Sequence, residues 1–115
     1  MEDRRISGAF PDALVPLLRR MGEDLAVARK ARRLTQDDLA SRMNVARKTV
    51  INMEKGDPRV SFGAYAVAGW IMGLEQNLLS AFDPGNDPVF QREARLAQPK
   101  RVRADTGNDF GDLDF

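Results

Sequence analysis

The chain has 115 residues, 43% of them apolar and 30% charged, which suffices for one small core and not for two domains. With 18 Lys+Arg against 17 Asp+Glu the net charge is +1, excluding a uniformly basic chain of the histone type and an acidic solvating one. Cysteine and histidine are both absent, so a disulfide framework, a Cys/His metal site and a Ser–His or Cys–His nucleophile pair are excluded.

The charge is unevenly distributed. Residues 21–60 carry net +3, residues 61–82 carry the single charge of Glu75, residues 83–103 carry net +2, and the last twelve residues carry four aspartates and no base. Residues 1–12 lack periodicity and read as a flexible N-terminal segment. From Leu18 the apolar positions Leu18, Met21, Leu25 and Ala28 recur at 3, 4 and 3, one face of a helix ending near Arg33. Pro16 suits its first turn, and Gly22 is expected to weaken its middle by roughly 1 kcal/mol relative to alanine.

Thr35 reads as an N-cap, with Asp37 and Asp38 placed where the helix dipole favours acids. Leu39, Ala40 and Met43 form the buried face of this second helix, and Asn44 suits the left-handed turn that stops it. A third helix is predicted from about Ala46 to Lys55, ending at Gly56. Ser61 caps a fourth, Phe62 to Met72, stopped by Gly73, and a fifth runs from Glu75 to Phe82. DPGNDP (83–88) is a turn cluster, and Val89 to Ala97 forms a short helix that would not hold alone in water. QPKRVR (98–103) is a basic strip and ADTGNDFGDLDF (104–115) an acidic tail, flexible until bound. The organisation is therefore all-α: a compact five-helix domain over residues 13–83 between a flexible N-terminal segment (1–12) and a C-terminal extension with its acidic tail (84–115). The longest uncharged run, Val60 to Leu74, is too short and too glycine-rich to span a membrane, and MEDRRISGAF holds no apolar signal region. A cytoplasmic protein without a membrane partner is expected.

Gln36 to Lys55 is the specific part. Two short helices joined by a tight turn must approach closely, which Ala40 permits, while Val50 and Met53 point back into the core. Ala46, Arg47, Lys48, Ile51 and Asn52 are then directed outward, as in a helix that presents its N-terminal half to the DNA major groove.

TQDDLASRMNVARKTVINMEKG (35–56) resembles the helix-turn-helix of the phage repressor/Cro (XRE) family, with Asn44 where glycine is usual and Ala46 where a serine or threonine cap is usual. The resemblance implies a lambda-repressor-like DNA-binding fold and a transcriptional repressor bound to double-stranded operator DNA in the bacterial cytoplasm, nucleoid-associated when bound. It further implies that Gln36 positions phosphate and base contacts. Arg47, Lys48 and Asn52 would contact bases, with Ala46 opening the recognition helix, and Thr49 and Lys55 would touch phosphate. Arg29 and Glu54 match an inward ion pair of the family. No catalytic residue, cofactor or metal is called for, and the chain is not expected to be an enzyme.

Val60 to Leu74 is too apolar for one small core, so a homodimer is expected, with Tyr65, Trp70, Leu78 and Phe82 at its interface. Repressor-type domains reading half-sites about 34 Å apart also call for two copies. Residues 20–103, with EKGDPRVSFGAYAVAGWIMGLEQNLLSAFD and PKRVR, resemble more narrowly the HipB-type antitoxins, which repress their own operon and bind a HipA-like serine/threonine kinase toxin. In the acidic tail Phe110, Leu113 and Phe115 read as a partner-docking segment, with a solubilising end or a tail that folds back on Arg47 and Lys48 as the alternatives. The alternative is a stand-alone XRE-type regulator without a toxin.

Overall fold

A computed structural model describes residues 10–98, and every regular element among them is helical. A 3-10 turn at Asp12–Leu14 leads into α1 (Val15–Ala31), followed by α2 (Gln36–Met43), α3 (Arg47–Glu54), α4 (Phe62–Ile71) and α5 (Glu75–Leu79). A 3-10 turn at Pro84–Asn86 and α6 (Pro88–Ala97) complete the order. No helix among the described residues is long and apolar enough to cross a membrane. Phe110, Leu113 and Phe115 lie outside the described residues.

The chain divides into two compact units between Leu79 and Ser80. In the first, Leu39, Val50, Met53 and Ala68 are fully buried, with Ala40, Met43, Tyr65 and Met72 beside them. Leu25, Ala28, Val45, Val60, Ala64, Ile71 and Leu74 pack around this centre. The predicted inner face of residues 36–55 (Leu39, Ala40, Met43, Val50 and Met53) therefore lies in the core, completed by Tyr65, Ala68 and Met72.

The helix ends follow local chemistry. The Thr35 hydroxyl accepts the Asp38 N–H at 2.9 Å and the Asp38 carboxylate accepts the Thr35 N–H at 2.8 Å, a reciprocal capping box. The Thr35 backbone N–H contributes most to holding the Asp38 carboxyl below its ordinary value, and the Thr35 hydroxyl adds to it. Ser61 caps α4 by accepting the Ala64 N–H at 3.1 Å. Ala46 occupies the N-cap of α3 with extended backbone and no side-chain bond, as expected of alanine. Asn44 takes the left-handed conformation at φ 62°, the turn expected of it, and Gly56 and Gly73 do so at 78° and 76°. Arg33 does so too, at 60°, which the sequence did not signal.

Three expectations need correction. Gly22 is not simply a weak point in α1: a Cβ there would stand 2.5 Å from the Glu54 carbonyl oxygen and 2.6 Å from that of Met53. Glycine is what lets α1 lie directly on the end of α3. The fifth helix was expected to reach Phe82 but ends at Leu79, and Phe82 is in a turn at 94% exposure. Tyr65, expected at a dimer interface, is only 8% exposed and lies in the core of its own chain. Its hydroxyl donates to the Asp57 carbonyl at 3.2 Å, and burial raises its pKa.

In the second unit, Asp83 accepts the Gly85 N–H at 2.8 Å and Asp87 accepts the Val89 N–H at 3.0 Å, capping the turn and α6. Gln91 ties α6 back to the Pro84 carbonyl at 3.0 Å. The described residues of this unit are all exposed, Phe90 and Val89 included. Caps and local hydrogen bonds, not a buried core, define its helix.

Candidate functional site

The candidate site is built where α1, α2 and α3 converge. Arg29 on α1 is buried, at 7% exposure. Its Nε donates to Glu54 Oε2 at 2.6 Å and its Nη2 to Glu54 Oε1 at 3.0 Å, with both side chains 8% exposed. Its Nη1 donates to the Leu34 carbonyl at 2.8 Å, tying down the α1–α2 loop. Gln36, at the start of α2, donates from Nε2 to Glu54 Oε1 at 3.0 Å. One carboxylate thus joins all three helices. Burial pushes the Glu54 carboxyl up, but the hydrogen bonds from Arg29 and Gln36 outweigh it and hold its pKa below the ordinary value. The same bond raises Arg29.

Beside this knot lies an open cleft of about 410 Å³, with Lys30, Arg33, Thr35, Gln36, Asp37 and Arg47 among its lining residues. Arg47 Nε is 3.7 Å from Asp37 Oδ1, an ion contact across the helix-turn-helix in which both partners are exposed. Lys48 and Ala46 are exposed next to Arg47, and Lys55 is exposed at the other end of α3. Thr49, Ile51 and Asn52 are half-buried. The Asn52 carbonyl accepts the Lys55 and Asp57 N–H groups at 3.1 and 3.0 Å, closing α3.

Of the expected DNA-contacting residues, Gln36 and Arg47 line the cleft together, with Ala46 and Lys48 exposed beside Arg47 at the start of α3. Lys55 is not on the cleft; it stands at the other end of α3, next to the Glu54 that holds Gln36. The ion pair Arg29–Glu54 forms as expected. The Gln36–Glu54 bond and the Arg47–Asp37 contact went unread in the sequence. Positions 37 and 47 stand ten apart across a turn, so no helical spacing marks them as neighbours. On α4, Trp70 is 67% exposed while Ala68 and Met72 are buried, and Leu78 on α5 is half-buried against Gly69.

No family model, curated protein or solved structure matches the chain.

Proposed function

We propose that this chain is a sequence-specific DNA-binding transcriptional repressor, with α2 and α3 as its helix-turn-helix and a homodimer as its working form. The observation that carries the reading is the partition of α3. Val50 and Met53 are fully buried, whereas Arg47 and Lys48 at its N-terminal end are exposed. A helix anchored along one face and cationic at its free end suits the major groove, about 12 Å wide.

In this reading Arg47, Lys48 and Asn52 read base edges, Arg being suited to guanine O6/N7 and Asn to adenine N6/N7. Thr49 and Lys55 touch the sugar-phosphate backbone. Gln36, held by Glu54, positions neighbouring contacts. The second copy covers the apolar side of α4 and α5 that includes Trp70 and Leu78. The likeness of residues 20–103 to HipB-type antitoxins supports a HipA-like kinase as protein partner and control of the chain's own operon.

Sequencing of DNA captured by the purified chain tests the reading. Two related half-sites should be enriched. Arg47→Ala should cost about 1–3 kcal/mol and relax preference at one position. Lys55→Ala should weaken all sequences alike and flatten the salt dependence. Binding that is the same for every sequence, and indifferent to Arg47→Ala, would sink the proposal. Co-purification with a kinase that the chain inhibits separates the antitoxin from a stand-alone regulator.

A further inference from the structure

We infer that Asp37 is the positioning residue for Arg47, and that it sets how sharply the recognition helix discriminates between bases. The inference rests on the DNA-binding reading above and deepens it.

Three carboxylates surround the start of α2 and the inner side of α3. The Asp38 carboxylate is committed to the capping box through the Thr35 N–H at 2.8 Å. The Glu54 carboxylate is committed to Arg29 and Gln36. The Asp37 carboxylate remains, and it faces the guanidinium of Arg47, with Oδ1 3.7 Å from Nε. A helix-dipole role accounts for an acid in the first turn of α2. It does not account for an acid opposite the arginine at the tip of the next helix.

The chemistry of that placement is directional. A guanidinium offers two donor edges, one through Nε and one through the terminal Nη1 and Nη2. A carboxylate on the Nε side leaves the terminal edge free, and that edge spans guanine O6 and N7. Asp37 also biases Arg47 against the competing ligand. The cleft beside it is lined by Lys30 and Arg33 as well as Arg47, a set of cations that suits a phosphate. The negative charge of Asp37 lowers the attraction of phosphate to Arg47 and leaves the backbone to Lys30 and Arg33. At 3.7 Å and in the open, the contact is too long for a hydrogen bond and is screened by water, so its effect is a few-fold.

The test is selection from randomised duplexes by the wild-type chain, Asp37→Asn and Asp37→Glu, with thermal melts verifying that each variant folds. Asp37→Asn should lose about 2- to 5-fold of the base preference at the position that Arg47→Ala relaxes. Its affinity for random-sequence DNA should rise at the same time, because a repelling charge has gone. Asp37→Glu should restore the preference. A uniform gain in affinity with that preference unchanged would overturn the inference and make Asp37 a dipole partner alone. A wild-type chain that enriches no sequence would overturn the DNA-binding reading and this inference with it.

Discussion

Arg29 and Glu54, 25 residues apart, meet in a two-point fork of 2.6 and 3.0 Å that fastens α1 to the last turn of α3. A charge this enclosed is costly to strand, so removing one partner should be worse than removing both. Arg29→Ala or Glu54→Ala alone should lose about 3 kcal/mol or more, and the double variant less than the sum. Thermal melts of the four chains measure the coupling, and simple additivity would contradict it.

The same carboxylate predicts an acid limit. The folded-state pKa of Glu54 is depressed, so its contribution is fully present above the ordinary glutamate value of about 4.3 and is lost as pH falls through the folded value. Glu54→Gln should be less stable than the wild type at neutral pH and should close the gap as pH drops below about 4. Melting temperatures at a series of pH values read this directly; a gap independent of pH would show that the charge of Glu54 is not what stabilises the knot.

Gly22→Ala separates helix propensity from packing. In an isolated helix the change would stabilise by roughly 1 kcal/mol. Here the added methyl meets the Glu54 and Met53 carbonyl oxygens at 2.5 and 2.6 Å, backbone atoms that can give way only by moving α3. The variant should therefore lose about 1–3 kcal/mol, measured by chemical denaturation. Any gain in stability would mean that α1 and α3 are not held this close.

Trp70→Glu tests the proposed dimer without cutting into the core, because Trp70 is 67% exposed. The wild-type chain should sediment as a dimer and the variant as a monomer with an unchanged helical spectrum. Operator affinity should fall with the loss of simultaneous half-site binding. A wild-type chain that is monomeric at high micromolar concentration would refute the dimer.

Periodicity, caps and turn residues were enough to determine the all-α class, the existence of each helix, the Thr35 and Ser61 caps, and the left-handed Asn44 turn. These are local features, set within one turn of helix by hydrogen bonds and steric limits that the residue types themselves carry. Leu39, Ala40, Met43, Val50 and Met53 were legible as core for the same reason: a short helix-turn-helix has one way to bury its apolar stripe. Arg29–Glu54 came from the family resemblance, not from spacing, and the tertiary structure supplied its geometry. What depended on the third dimension was everything set by distant segments meeting. Gly22 changes from a weak helix residue to the contact point of α1 and α3 only once the Glu54 carbonyl lies over it. Tyr65 belongs to the inside because Asp57 offers its hydroxyl a carbonyl there, a partner that no periodicity indicates. Asp37 reads as a dipole partner in one dimension and faces Arg47 in three, since the angle between two helices, not the sequence of either, decides which side chains meet across a turn.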